Sequence, residues 1–98
     1  MPEDRQRLDK WLWNARVVRT RTAAAGLATS GRIRVNGQRT EAPGRPLRAG
    51  DVVTVALDAR VRVLRVCGFV LRRGDAGQAT TLYEELTGAP ARRPPPVP

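Results

Sequence analysis

Few residues in this sequence are able to do covalent chemistry. It has no histidine and one cysteine, Cys67, which excludes a Cys–His nucleophile pair, an internal disulfide and a Cys/His metal site. Glu84 and Glu85 are adjacent in sequence and would diverge on a helix, so they do not make an acid–base pair. No phosphate-binding glycine loop or serine triad is present. We therefore expect no catalytic residues, no metal, no cofactor and no small-molecule substrate, and we predict that the chain is not an enzyme.

Arginine is the residue type that dominates the chemistry of the chain. The 98 residues include 18 basic and 9 acidic side chains, a formal net charge of +9, and Lys10 is the single lysine. Such a balance favours a polyanionic partner, either nucleic acid or an anionic membrane surface. The planar guanidinium suits phosphate groups and base edges. Nucleotide-composition bias explains the excess of arginine over lysine equally well, but it does not explain the net charge.

The positive charge is concentrated in the first part of the chain. Nine basic residues and one acid, Asp9, lie between Arg5 and Arg39, which gives that stretch a net charge of +8. The remainder is close to balanced. A device for solubility would be spread more evenly, so the asymmetry favours a binding face over a solvated surface.

The hydrophobic pattern predicts a first helix over about residues 7–17. Leu8, Leu12 and Ala15 recur at i, i+4 and i+7 and form one apolar stripe. Trp11 lies beside this stripe and is expected to join the core, because successive helical residues are rotated by about 100°.

A second helix is predicted over about residues 21–30. Thr20 or Thr22 can cap its start, and Gly31 follows its end, where a left-handed residue is favoured. Arg21 opposes the helix dipole at this end. Beside the free backbone N–H groups, however, it would make a site for phosphate.

The second helix is unusually rich in small residues. Its core side is predicted to comprise Leu27 with Ala23 and Ala24, and its outer side Ala25, Ala28 and Thr29 near Arg21. An outer face so low would let an RNA backbone approach the helix closely.

Alternating residues after the helices predict a small sheet. Ile33 and Val35 alternate with arginines, and Asn36-Gly37 is a strong two-residue hairpin signal. Residues 52–57 and 61–66 are predicted as further strands. A helix pair followed by a sheet is typical of an α+β fold.

The chain divides into four predicted segments. Residues 1–6 are expected to form a polar leader, 7–68 one folded domain, 69–87 a short extension with a helix over 78–87, and 88–98 a flexible proline-rich tail. Residues 1–20 are charged and lack an apolar stretch, so we expect no signal peptide. The sequence has no apolar run of about 18 residues, the length that crosses a bilayer. We expect a cytoplasmic protein with no membrane partner.

Trp13 has two competing interpretations. It points about 200° away from Trp11 on the first helix, so both cannot be central to one core. Trp13 could stack on an unpaired base. The favoured alternative is that the segment after residue 68 covers it, through Leu82 and Leu86.

Three motifs in order resemble a known family of RNA-binding domains, the one named after small-subunit ribosomal protein S4. They are R-L-D-x-x-L from Arg7 to Leu12, T-R-T-x-A-x-x-L from Thr20 to Leu27, and G-R-I-R-V-N-G from Gly31 to Gly37. R-L-D-K-W-L-W-x-A-R and V-N-G-Q-R are further similar to the heat shock protein 15 type of stand-alone bacterial member.

The resemblance implies a helix pair packed on a small twisted, mostly antiparallel sheet (the αL arrangement), with RNA lying across the helices. It implies binding to the large (50S) ribosomal subunit, particularly stalled subunits carrying peptidyl-tRNA. Asp9 is expected to orient a neighbouring arginine. The expected RNA-binding residues are Arg7, Lys10, Arg16, Arg19, Thr20, Arg21, Arg32, Arg34 and Asn36.

Two departures from the family weaken the expectation of tight binding. Relatives often carry basic residues where this chain has Ala24, Ala25 and Gly26, and they carry a longer basic tail. One alternative is a DNA-binding helix-turn-helix protein, although the middle of the second helix lacks side chains that read base edges. Another is an accessory RNA-binding module of an RNA-modifying system. The free protein is expected to be a monomer.

Overall fold

The computed structural model describes residues 4–87. In chain order the elements are β1 (Arg5–Arg7), α1 (Leu8–Asn14), α2 (Arg21–Thr29), β2 (Ile33–Val35), β3 (Gln38–Thr40), β4 (Pro46–Arg48), β5 (Val52–Ala56), β6 (Val61–Val66), α3 (Ala76–Ala79) and β7 (Tyr83–Glu85). A five-stranded antiparallel sheet has the order β3-β2-β5-β6-β7, and β1 pairs with β4 in a separate ribbon. The predicted α+β fold, a helix pair with an antiparallel sheet, is confirmed.

The core lies between the helices and one face of the sheet. Val35 stands opposite Val53, and Val53 stands opposite Leu64, so alternate residues of three strands share the buried face. The apolar stripe of α1 packs into the same cluster, and Leu8, Trp11, Leu12 and Ala15 are buried there as predicted.

Helix α1 is shorter than predicted. It ends at Asn14, and Arg16 then adopts a left-handed conformation with φ of 61°. The N–H of Val17 donates to the carbonyl of Leu12 at 3.0 Å, which closes a turn around the helix end. The periodicity continues through this turn, so the pattern alone overestimates the helix.

Both ends of α2 agree with the sequence signals. Thr20 caps the helix, and its side chain accepts a hydrogen bond from the N–H of Ala23 at 3.0 Å. Gly31 follows the helix in a left-handed conformation with φ of 81°. A Cβ at this glycine would meet only the flexible guanidinium end of Arg39, which can move aside, so the positive φ is the constraint that favours glycine here.

The predicted orientation of α2 is partly wrong. Ala24 and Ala28 are fully buried, whereas Ala23 is exposed and Leu27 is only half-buried. Ala24 and Ala28 are spaced i, i+4, and this small-residue stripe lies on the side that packs against α1. The alanines are buried because α1 and α2 approach closely there, although Leu27 has the larger apolar side chain.

The β2–β3 connection is the predicted two-residue hairpin. Asn36 has φ of 53° and Gly37 has φ of 83°. Positive φ at both central positions is the requirement of a type I′ turn, which matches the twist of the strands it joins.

The predicted helix over residues 78–87 is wrong. Helix α3 ends at Ala79, and the chain then extends into β7, which pairs with the open edge of β6. Cross-strand ion pairs join Arg65 to Glu84 at 3.2 Å and Arg62 to Glu85. These oppositely charged neighbours on β6 favour the strand over a local helix.

The predicted segment boundaries differ from the folded elements. Residues 5 and 6 belong to β1 and not to a leader, because Gln6 is buried opposite Leu47 of β4. The chain also continues across residue 68 without a break, since the N–H of Cys67 donates to the carbonyl of Leu82 at 2.8 Å. Residues 1–3 of the leader and the proline-rich tail over 88–98 lie outside the described residues.

The segment after residue 68 covers Trp13, but not through the leucines expected. The Arg73 guanidinium lies 5.6 Å from the centroid of the Trp13 ring, and its Nε donates to the Trp13 carbonyl at 2.8 Å. Leu82 is buried in the core instead, and the N–H of Leu86 bonds to β6. Among residues 4–87, no helix is long and apolar enough to span a membrane.

Candidate nucleic-acid interface

An open basin of about 420 Å³ lies between the β1–β4 ribbon and the helix pair. We call it the basic cleft. Four of its seven lining residues are cationic, and none is acidic; they are Arg5, Gln6, Arg7, Lys10, Arg21, Gly44 and Pro46. The cleft draws its charges from three elements, and a concave cationic surface of this kind suits a phosphate-bearing ligand.

The buried side chain of Asp9 holds two of the three arginines of the cleft, Arg7 and Arg21. Its side chain is 6% exposed and receives two hydrogen bonds from Arg7, at 3.0 Å from Nε and 3.1 Å from Nη2. Nη2 of Arg21, the first residue of α2, lies 3.6 Å from the same carboxylate. The backbone N–H of Lys10 also donates to it at 2.8 Å. One buried acid therefore ties the start of α1 to the start of α2.

The electrostatics of Asp9 agree with this geometry. Burial raises the pKa of Asp9, but hydrogen bonds from Arg7 and the positive charges of Arg21 and Arg7 outweigh it and hold the pKa below its ordinary value. The Asp9 carboxylate is therefore ionised at neutral pH, and it orients the arginines while they stay exposed.

Arg7 lies beside Gly44 on a second side. A Cβ at Gly44 would lie 3.4 Å from Cζ of Arg7, so the guanidinium rests close to the loop before β4. The same loop caps α1, because the N–H groups of Leu8 and Asp9 donate to the carbonyls of Arg45 and Pro43 at 2.9 and 3.0 Å. The N–H groups of Leu8 and Asp9 at the start of α1 are therefore already bonded within the fold.

Arg19 and Thr20 lead into the cleft from the connection before α2. Both are exposed. Arg19 makes no hydrogen bond or ion pair with any residue between 4 and 87. Because Arg21 directly follows them, this stretch places two exposed guanidinium groups around a capped helix start.

Arg16 lies at the other end of α1 and does not line the cleft. Its Nε and Nη2 donate to the carbonyl of Gly74 at 3.2 and 2.9 Å. Arg16, which the sequence predicts as an RNA contact, is thus bonded within the fold. Its hydrogen bonds hold the segment after β6 against the end of α1.

Arg32 and Arg34 also lie apart from the cleft. Arg32 pairs with Asp58 at 2.9 Å and borders a second basin of about 390 Å³ against α2. Arg34 stands opposite Arg39 on the β2–β3 hairpin, with its Nη1 3.4 Å from the Gly37 carbonyl.

Asn36 is occupied by the fold. Its side-chain oxygen accepts from the N–H of Val52 at 2.9 Å, and its amide nitrogen donates to Asp51 at 3.1 Å. The residue locks the hairpin to the start of β5, a role that the sequence signal for a turn did not reveal.

Sequence reasoning missed the ribbon side of the cleft. Arg5 and Pro46 line it, and Arg48 stands directly opposite Arg5 in the ribbon. Each strand has only three residues, and they are far apart in sequence. Both strands alternate exposed, buried and exposed residues, but the buried residue of R-Q-R is the polar Gln6, so the sequence shows no hydrophobic alternation there. Residues 4–87 hold no group of three His, Cys, Asp or Glu side chains placed for a metal ion.

A helix pair, a tight hairpin and a cationic cleft at the helix starts define an S4-type domain. The sequence model described as the S4 domain matches residues 6–53. The chain belongs to the S4-domain family, as the motif resemblance predicts.

The relatives are proteins of the heat shock protein 15 type and a related factor. The heat shock protein 15 homolog of Aeromonas salmonicida is 38% identical over 87 residues, covering 89% of this chain and 65% of that protein. The RQC P-site tRNA stabilizing factor of Listeria innocua is 35% identical over 80 residues, covering 82% of this chain and 85% of that protein. The chain thus spans 65% of the length of the heat shock protein 15 homolog.

A solved structure has the same fold. Heat shock protein 15 of Vibrio cholerae, described as trimeric, aligns with a TM-score of 0.77 and 32% identity, covering 83% of this chain and 81% of that one. The predicted similarity to the heat shock protein 15 type is confirmed.

Proposed function

We propose that this chain is a non-enzymatic RNA-binding protein of the bacterial cytoplasm that binds ribosomal RNA of the large (50S) subunit. The observation that carries the proposal is the basic cleft, in which Arg7 and Arg21 come from different elements and are held by the buried carboxylate of Asp9. Such pre-positioning lowers the entropic cost of binding a phosphate group.

The names of the relatives support the choice of partner. A heat shock protein 15 homolog and a factor named for stabilizing P-site tRNA are similar to this chain in sequence, and heat shock protein 15 of Vibrio cholerae has the same fold. We propose that subunits carrying peptidyl-tRNA are the form that the chain recognises, as part of a stress response in which stalled subunits are rescued.

The mechanism is electrostatic docking on a folded RNA. Recognition of RNA helices depends on backbone, 2′-hydroxyl and groove shape more than on reading base edges. Lys10, Arg7 and Arg21 supply charge within the cleft, while Arg19 and the hydroxyl of Thr20 extend it before α2. With roughly five phosphates contacted, log affinity falls with log salt at a slope of about −3 to −5.

No observation favours the DNA-binding alternative. The exposed positions of α2 and its C-cap are Arg21, Thr22, Ala23, Gly26, Thr29 and Ser30. After the first turn they carry no long side chain that could read base edges in a major groove.

The sequence predicts a free monomer, whereas the Vibrio cholerae protein is described as trimeric. Light scattering on the purified chain separates the two states, because a monomer has a mass of 10.8 kDa and a trimer three times that value.

The central test compares partners at physiological salt. Purified chain is mixed with large subunits, small subunits or a DNA duplex, and binding is measured by sedimentation and filter retention. We expect large subunits to be bound most tightly, and subunits with peptidyl-tRNA more tightly than empty ones. Equal affinity for DNA duplex and large subunits would contradict the proposal and indicate generic polyanion binding.

A further inference from the structure

Two arginines face each other directly across the β1–β4 ribbon. The strand register pairs Arg5 with Arg48, while their neighbours Gln6 and Leu47 pair on the buried face. Because side chains alternate along a strand, both arginines leave the ribbon on its outer face, and both are exposed.

This pairing is unfavourable in the free protein. Like charges directly opposite each other on an antiparallel pair destabilise it. The carboxylate near Arg5 belongs to Asp4, at 3.9 Å and with a side chain 94% exposed, and such pairs contribute little. Arg48 forms no ion pair with a residue between 4 and 87. The fold therefore keeps two positive charges opposite each other, where a neutral residue at either position would make the ribbon more stable.

The pair continues the surface of the basic cleft. Arg7 follows Arg5 on the same ribbon face, two residues along β1, and both line the cleft. Two residues of a strand span about 6.6 Å, which is comparable with the separation of neighbouring phosphates along a nucleic-acid strand. Pro46, opposite Arg7, adds no charge, so the cationic row runs from Arg48 and Arg5 to Arg7.

We propose that the outer face of the β1–β4 ribbon is a second contact for the RNA backbone. Arg5 and Arg48 together hold one phosphate, and Arg7 holds the neighbouring phosphate of the same strand within the cleft. The inference rests on the proposed RNA-binding function and adds to it a site outside the helix pair. An anion between Arg5 and Arg48 would also relieve the repulsion that the free ribbon carries.

The first test removes both arginines. Arg5→Ala with Arg48→Ala is compared with Arg60→Ala with Arg72→Ala, which removes the same charge from exposed positions outside the ribbon and the cleft. Affinity for large subunits is measured as a function of salt. We expect the salt slope of the ribbon variant to become shallower by about 1, for the one phosphate that Arg5 and Arg48 hold together, and that of the control to stay close to wild type.

The second test separates binding from folding. Arg5→Glu creates an opposite-charge pair with Arg48, so the melting temperature of the free protein should rise while affinity falls at least as far as in Arg5→Ala. A ribbon that serves only the fold would change both quantities in the same direction. If the double alanine variant does not fold, Arg5→Gln with Arg48→Gln is used in its place, because glutamine keeps most of the side-chain stem without the charge.

The outcomes distinguish the inference from the function on which it rests. Wild-type chain that fails to bind large subunits contradicts the proposed function. Wild-type chain that binds, with ribbon and control variants equal in affinity and salt slope, overturns the ribbon contact alone.

Discussion

The arginines at the starts of the two helices and those around the β2–β3 hairpin differ in what surrounds them. Arg7 and Arg21 are held by one buried acid that leaves their outer sides open to the cleft. Arg32 instead pairs with an exposed acid, Asp58, and Arg39 with Glu41. The cleft acid lies beneath the arginines, whereas the hairpin acids lie at the surface and compete with a ligand.

This difference teaches that charge count does not locate a binding site. Both regions contribute basic residues to the same stretch of sequence, yet only one presents them pre-positioned. We expect a phosphate to find guanidinium groups already oriented in the cleft, whereas at Arg32 or Arg39 it would first have to displace a carboxylate.

The sharpest way to break the comparison is a pair of matched double variants. Arg19→Ala with Arg21→Ala should weaken binding to large subunits by about 100-fold, since two charge-assisted contacts of about 1.5 kcal/mol each are lost. Arg32→Ala with Arg34→Ala removes the same charge and should cost less than about threefold. Filter binding at fixed salt measures both, with circular dichroism to check folding. Equal losses would mean that the two regions contribute alike.

A change at Asp9 tests pre-positioning directly. Asp9→Asn raises the net charge by one, so simple electrostatics predicts tighter RNA binding. The substitution also removes the contacts by which Asp9 holds Arg7 and Arg21, which predicts weaker binding. We expect about a tenfold loss of affinity for large subunits, because these charge-assisted bonds are strong. Glu84→Gln raises the charge equally at the far edge of the sheet and serves as the control. Tighter binding by both variants would remove Asp9 from the site.

The pH dependence of stability follows from the same residue. The folded-state pKa of Asp9 is depressed, so its contribution to stability is present above the unfolded pKa of about 3.9 and is lost as pH falls through the folded value. Thermal unfolding of wild type and Asp9→Asn should therefore differ at neutral pH and converge in acid. A difference that persists unchanged into acid would show that the Asp9 charge is not its source.

Local signals predicted most of the helix pair and hairpin because each was strong and contiguous. Thr20, Gly31 and Asn36-Gly37 specify their own backbone conformations, and the structure has each as expected. The order of the three motifs between Arg7 and Gly37 likewise indicated the part of the chain that forms the candidate site. The acid beneath Arg7 and Arg21 could be suspected, but its link between two helices depends on how they pack.

The remaining errors concern partners distant in sequence. Short strands such as β1, β4 and β7 gain their hydrogen bonds from other strands, so three residues alone carry little signal. Trp13 is covered by Arg73 and not by the predicted leucines, because Leu82 lies in the core and Leu86 bonds to β6. These contacts join residues far apart in sequence, which local periodicity cannot show.

A substitution of Asn36 tests whether its side chain stabilises the hairpin or binds RNA, and its expected effect is smaller. Asn36→Ala removes two hydrogen bonds to the β4–β5 turn, which should lower the free energy of unfolding by about 1–2 kcal/mol. Binding by the folded fraction, measured well below the melting temperature, should stay within about twofold of wild type if the side chain serves only the fold. A clear loss of affinity at full folding would restore Asn36 to the RNA-binding residues predicted from sequence.

The smallest expected effect concerns the carboxylate that occupies Arg32. Asp58→Ala frees this guanidinium, and since exposed ion pairs are worth about 0–1 kcal/mol, affinity should rise by less than about fivefold. Glu84→Ala provides the control, because it breaks a similar exposed pair with Arg65 and changes the net charge equally. A rise for Asp58→Ala beyond that of Glu84→Ala would place Arg32 within reach of RNA, and equal rises would leave the hairpin outside the interface. The competing acid would then mark the boundary of the RNA-binding surface, since Asp58 lies at the surface, where a phosphate must displace it to reach Arg32.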